Sequence, residues 1–184
     1  MSVTAEASKV VVPTGTWSVD PVHSSVEFSV RNMGIVNVKG HFSDFEGTLE
    51  STEEGAEARG SVKVASVNTR SEKRDGHLLA PDFFDVENYP EITFESERIE
   101  PYADRLRITG DLTINGITHE VELYATVEGE TDDPWGGHRV GLSVTGEVDR
   151  HDYGLNWNVE TPGGIALASA KVKIHLEIGA VQQS

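Results

Sequence analysis

Apolar and polar residues alternate along most of this chain, and the alternation predicts strands. Val26, Phe28 and Val30 face one way while Ser25, Glu27 and Ser29 face the other. Val36, Val38, Gly40 and Phe42 share one phase, and Phe45, Gly47 and Leu49 take the opposite one, so the dry face slips at Ser43-Asp44. A bulge or corner there keeps both halves turned to one interior, and corners are what a sheet needs to close on itself. Val62 and Val64 continue the pattern, and Ile92 and Phe94 resume it further on. Leu106, Ile108, Gly110, Leu112 and Ile114 alternate strictly with polar residues. Asn115-Gly116 is a strong two-residue hairpin signal. It sets Ile114 opposite Ile117, Leu112 opposite His119, Gly110 opposite Val121 and Ile108 opposite Leu123, so turn chemistry and dry faces agree on one register. Leu142, Val144, Gly146 and Val148 predict another strand, and Val172, Ile174, Leu176 and Ile178 the last. Asp149 to Val159 is ambiguous, with Tyr153, Leu155 and Trp157 at period two around Gly154.

One stretch breaks the rhythm. Thr69-Arg70-Ser71-Glu72 fits a capping box, which predicts a short helix from Arg70 to about Ala80, stopped by Pro81. Leu78, Leu79, Phe83 and Phe84 follow as an apolar elbow, and Tyr89-Pro90 is a second break. A helix inserted among strands in this way would lie across an open end of the sheet. The count is about eight strands, an all-β chain with one short helix after the fourth or fifth strand. A two-sheet sandwich and a closed barrel both satisfy the pattern, and eight strands give a barrel either filled by side chains or holding one small ligand.

Composition narrows the function. A length of 184 residues suits one domain with a sizeable core, preceded by a small, polar and mobile tail over residues 1–14. A formal net charge of -16 argues against nucleic acid and against docking on anionic membranes through a basic patch. The chain has no cysteine, which excludes disulfides and thiol chemistry. The opening residues MSVTAEASKVVVPT lack a basic start followed by a long apolar run, so the expectation is a cytoplasmic protein without stable membrane insertion.

Little of the chain suggests catalysis. Seven histidines occur, with no HExxH and no His-x-His pair, so no metal and no cofactor is expected. His23 and Ser24 are strand neighbours that point to opposite faces, and there is no GxSxG elbow or P-loop. Arg70, Lys73, Arg74 and His77 form a basic band at i,i+4 spacing. Such a band either meets a polar or anionic head group or pins the helix to a barrel rim. The apolar phase residues Val26, Phe28, Phe42, Phe45, Phe84, Phe94, Leu112, Ile114, Leu123, Val144 and Ile174 read either as ordinary core or as the wall of a channel.

Several of these pieces resemble the YceI-like family of lipocalin-like, polyisoprenoid-binding proteins. They are WSVDPVHSSVEFSVRNMG, GHFSDFEGTL, the segment NTRSEKRDGHLLAPDFFDVENYPEITFES, GDLTINGITHEVEL and the closing strand. The resemblance runs in order over roughly residues 15–178 and implies a domain at 15–180 built as an antiparallel eight-stranded barrel around a hydrophobic channel. It further implies that the apolar phase residues, with Leu78, line the channel of an isoprenoid lipid such as an isoprenoid quinone or a polyprenyl phosphate. Arg74, Asp75, His77 and Leu78 match the family's RDxHL-like run. Asn32 stands where relatives commonly carry His; it keeps hydrogen bonding but loses titration near neutral pH, which bears on head-group preference. The expected activity is sequestration or transport without catalysis. The competing expectation is a stress-response or protein-interaction module with a solid barrel, and exposed strand edges make a homodimer an option for either.

Overall fold

The computed structural model describes residues 11–184. Eleven strands form a single sheet: β1 (Gly15–Val19), β2 (Ser25–Asn32), β3 (Val36–Phe42), β4 (Phe45–Thr52), β5 (Gly55–Lys63), β6 (Val67–Asn68), β7 (Glu91–Tyr102), β8 (Arg105–Ile114), β9 (Ile117–Asp132), β10 (His138–Asp149) and β11 (Ala168–Gln182). One helix, α1 (Glu72–Leu78), follows β6. The sheet closes because β1 pairs with β4 on one side and with β11 on the other, Val19 opposite Ala180 and Trp17 opposite Gln182. β2 pairs with the earlier part of the same β11 and with β3. β1 and β2 therefore act as one broken strand, as do β3 and β4, and the short β6 extends β5. The result is a closed eight-stranded antiparallel barrel, which resolves the choice between sandwich and barrel.

The expected corner is present. β3 ends at Phe42 and β4 begins at Phe45. Ser43 donates to the carbonyl of Ser66, and Asp44 accepts from the amide of Lys63, so the corner is tied to the neighbouring chain. The predicted hairpin register is also present, from Ile114 opposite Ile117 to Ile108 opposite Leu123. Asn115 and Gly116 both take positive φ, 54° and 74°, as a tight primed turn requires. The Tyr89 ring lies 2.5 Å from where a Gly116 Cβ would stand, so the turn has no room for a side chain.

The helix start differs from the expected box. α1 begins at Glu72, with Ser71 as N-cap accepting from the Arg74 amide at 3.3 Å, and Arg70 sits in the left-handed region at φ 69°. The Thr69 hydroxyl and amide both donate to Asp75 Oδ1, at 2.6 and 2.9 Å. The Thr69 oxygen accepts from Arg74 Nε at 2.8 Å rather than from a helix amide, so Ser71 takes the capping position. The helix, expected to run to about Ala80, ends at Leu78, and residues 79–89 continue as hydrogen-bonded turns.

One end of the barrel is closed by the segment that leads into β1. At the N-terminal end, Trp17 is 1% exposed and its Nε1 donates to the Pro13 carbonyl, while Ser51 Oγ donates to the carbonyl of the buried Val12. The mobile tail expected over residues 1–14 lies outside the described residues as far as residue 10, and its last part takes part in this closure. Arg139 bridges Asp20 at 2.8 Å and Asp133 at 2.7 Å. Arg139, then His23, hold the Asp20 carboxyl down at about 2 from an ordinary 3.8. A depressed acid stabilises the fold above its unfolded pKa and loses that effect as pH falls through the folded one. Asp20→Asn should therefore lower the urea midpoint at neutral pH, and the gap from wild type should close between pH 4 and pH 2. A gap that persists at the acid end would remove Asp20 from the account.

Candidate ligand-binding cavity

The inward-facing side chains are not equally covered. On β8 and β10, Leu106, Leu112, Ile114, Val140 and Val144 are buried, whereas Val26 and Phe28 of β2 and Ile174 and Leu176 of β11 are only half-buried. These half-buried residues point inward yet meet empty space. That space is an interior cavity of about 530 Å³, within the range of small-molecule sites.

All fifteen residues singled out in the sequence lie on its wall. The strands bring Val26, Phe28 and Asn32 from β2, Phe42 from β3, Phe45 from β4 and Phe94 from β7. They also bring Leu112 and Ile114 from β8, Leu123 from β9, Val144 from β10 and Ile174 from β11. α1 adds Arg74, His77 and Leu78, and the elbow adds Phe84. The Phe28 and Phe42 rings are 5.5 Å apart, and Phe42 meets Phe84 edge-on at 6.5 Å. Gly40 makes room for this stack, since a Cβ there would stand 2.3 Å from the Phe28 ring.

The wall is graded in polarity. Toward the N-terminal end the buried side chains are hydrocarbon, with Val12, Leu49, Leu106, Ala125, Leu142 and Ala180, while Glu46, Thr48, Arg59 and Ser61 of β4 and β5 border the cavity as well. Toward the helix end it also carries Asn32, Thr69, Arg74, His77, Arg150 and Tyr153. Arg74 donates from Nε to Thr69 Oγ1 at 2.8 Å and from a terminal nitrogen to the Thr69 carbonyl at 2.6 Å, so it pins α1 while standing at the rim. His77 Nε2 meets Asp82 Oδ2 at 3.0 Å, and its ring contacts Trp157 at 5.0 Å.

Several wall residues in this region were absent from the sequence-derived set, among them Thr69, Trp157, Arg150 and Tyr153. Arg150 is 4% exposed and donates to four backbone carbonyls, those of Ser169, Leu155, Trp157 and Ala168. Burial lowers its pKa, and it forms no ion pair with a carboxylate among the described residues. Tyr153 is 1% exposed, and its hydroxyl has no hydrogen-bond partner. Burial first, then Asp152, push that phenol up to about 12, so it stays a proton donor. Both lie in the 3-10 turn Arg150–Tyr153, inside the stretch whose pattern was ambiguous. The period-two run Tyr153, Leu155, Trp157 was the one legible signal for Tyr153, and Arg150 had none. Among the described residues, no group of three or more His, Asp or Glu could hold a metal, and no helix is long and apolar enough to cross a membrane.

A closed, lipocalin-like β-barrel with a short helix at one end and an apolar cavity graded in polarity is a ligand-binding fold. The YceI-like domain matches residues 17–180, and the chain belongs to that family. Protein YceI of Escherichia coli O157:H7 is 37% identical over 164 residues, spanning 88% of this chain and 83% of that protein. Among solved structures, the Campylobacter jejuni YceI protein superposes with a TM-score of 0.71 at 28% identity, over 82% of this chain and 88% of that one. Burkholderia cenocepacia BcnA shares the fold at 22% identity and a TM-score of 0.74, over 88% and 98% of the two chains. A polyisoprenoid binding domain from Saccharophagus degradans shares it at 15% identity and a TM-score of 0.70, over 91% and 98%.

Proposed function

We propose that the barrel binds an isoprenoid lipid, sequestering or carrying it without chemical change, with the hydrocarbon chain toward the N-terminal end and the head toward the helix end. The observation that carries this reading is the one-sided polarity of an otherwise apolar cavity. Apolar cavities stay dry and take apolar guests. Ten buried methyl or methylene groups contribute on the order of 8 kcal/mol before association costs. The polyisoprenoid binding domain with the same fold supports the choice of ligand class. The competing solid-barrel module needs a filled interior, which a cavity of about 530 Å³ argues against.

The head group is best matched by an isoprenoid quinone. A quinone presents neutral carbonyl acceptors, and the Tyr153 hydroxyl is a neutral donor without a partner among the described residues, reached once a head group parts the side chains that close it off from the void. A polyprenyl phosphate needs several charged donors inside the wall, where Arg74 already commits Nε and one terminal nitrogen to Thr69. The Arg150 guanidinium is already engaged by four carbonyls. Solvent extraction of freshly purified protein, followed by mass spectrometry, should yield a stoichiometric isoprenoid quinone. An empty extract together with no uptake of added long-chain isoprenoid overturns the function. Tyr153→Phe should weaken quinone binding about fivefold, the worth of roughly 1 kcal/mol of hydrogen bond. It should leave binding of an isoprenoid hydrocarbon without a head unchanged. Equal loss for both ligands would take Tyr153 out of head-group recognition.

A further inference from the structure

We propose that the helix end of the barrel is a docking surface for a lipid bilayer, through an apolar tip that borders the mouth of the cavity. The proposal rests on the lipid-carrier reading above, since a surface of this kind serves to exchange greasy cargo with a membrane. The turn between β2 and β3 exposes Ile35 at 74%, Val36 at 50% and Met33 at 38%. The loop before β11 exposes Val159 and Ile165 at 51% each. These residues form one patch. The Met33 amide donates to the Leu167 carbonyl at 3.0 Å, and the Leu167 amide donates to the Val159 carbonyl at 2.7 Å. Ile165 Cγ2 lies 3.4 Å from where a Gly34 Cβ would stand. An exposed contiguous apolar patch on an otherwise acidic, polar chain marks an interaction site.

Two observations select a lipid surface as its occupant. The patch is continuous with the cavity, because Asn32, Trp157 and Leu167 stand beside it and also line the cavity wall. The sheet parts at the same place, for β3 pairs with β6 only at His41 and Phe42, which leaves Val36 to Gly40 without a partner on that side among the described residues. A hydrocarbon chain passing here would move from bilayer to barrel without crossing water.

Charge is the second observation. Residues 31–39 carry Arg31 and Lys39 and no acid, in a chain whose formal charge is -16. Arg70, Lys73 and Arg74 stand at the same end, where α1 meets the loop through the His77–Trp157 contact. None of these five cations forms an ion pair among the described residues. Arg31, Lys39, Arg70 and Lys73 are exposed and meet lipid phosphates when the apolar tip seats. Arg74 stays turned to Thr69, and Glu160 beside Val159 and Glu72 on α1 offset part of that charge. The tip therefore supplies what a basic patch alone does not in so acidic a chain: apolar insertion framed by local positive charge.

The test is flotation of the full chain with vesicles of equal parts phosphatidylcholine and phosphatidylglycerol, beside the double variant Ile35→Asp, Ile165→Asp. Both positions are exposed, so folding should be retained. Wild type should float with the vesicles, and the double variant should partition about tenfold less. Uptake of an isoprenoid presented in detergent should be equal in the two. Wild type remaining with the unbound fraction, or the double variant floating as well as wild type, overturns the proposal. So does a wild-type dimer in solution that the double substitution splits, because the patch is then covered by a second copy. Lost detergent uptake with intact flotation refutes the carrier function and leaves the docking surface standing.

Discussion

Ile174→Trp should abolish most lipid uptake while leaving the barrel folded. Ile174 faces inward from β11, lines the cavity and is only half-buried, so added ring atoms enter empty space. It lies beside Phe28 and Gly146 in the sheet register, on the wall most exposed to the void. Filling the volume of three or four methylenes removes roughly 3 kcal/mol of ligand burial, about a hundredfold in affinity. Filling an empty apolar site also stabilises the free protein, commonly by about 0.5–2 kcal/mol. Uptake should thus fall while the thermal midpoint holds or rises, a pairing that simple misfolding does not produce. Titration with a fluorescent isoprenoid and a thermal melt on the same sample read both. Undiminished affinity in a folded variant would move the ligand away from this wall.

Arg150→Met should be the most damaging single change to the helix end. The Arg150 side chain gathers the carbonyls of Leu155 and Trp157 on one side and of Ala168 and Ser169 on the other. Those carbonyls belong to the two ends of the loop between the 3-10 turn and β11. Methionine fills much of the space and offers no donor, so several buried acceptors lose their partners. Each buried acceptor left unsatisfied costs about 1–3 kcal/mol, so losing several together costs several kcal/mol. For a chain of this size that corresponds to a thermal midpoint lower by on the order of 10 °C. Arg150→Lys should recover little, because an ammonium lacks the planar fork that reaches both sides. Limited proteolysis should show cleavage between residues 155 and 167 appearing first. A methionine variant with an unchanged midpoint would show that the carbonyls find other partners.

Much of the wall was legible because a strand's period is two, and a residue's phase declares its face. Phe28, Leu112, Ile114, Leu123, Val144 and Ile174 were assigned to the interior on phase alone, and each lies on the cavity. The slip at Ser43-Asp44 carried the corner, and Asn115-Gly116 carried the β8–β9 register. Thr69 departs from the capping box because Asp75 and Arg74, one turn further along α1, engage its hydroxyl and leave the cap to Ser71. Arg150 and Tyr153 were missed for a related reason. Nothing in the run Asp149 to Val159 shows that the chain turns inward there and buries a guanidinium among carbonyls.

Taken by itself, the amino-acid sequence determined that this is a sheet protein with one dry face, interrupted by a single helix, acidic, without cysteine, and drawn from the YceI-like pattern. Periodicity and turn chemistry are local, so they survive without coordinates. Only the tertiary structure decided that β1 meets β11, far apart in the chain, and so that the sheet closes. Only it decided that the interior is left hollow. Closure depends on accumulated twist and stagger, and hollowness on whether the enclosed side chains together fill the space, and neither is a property of any one segment.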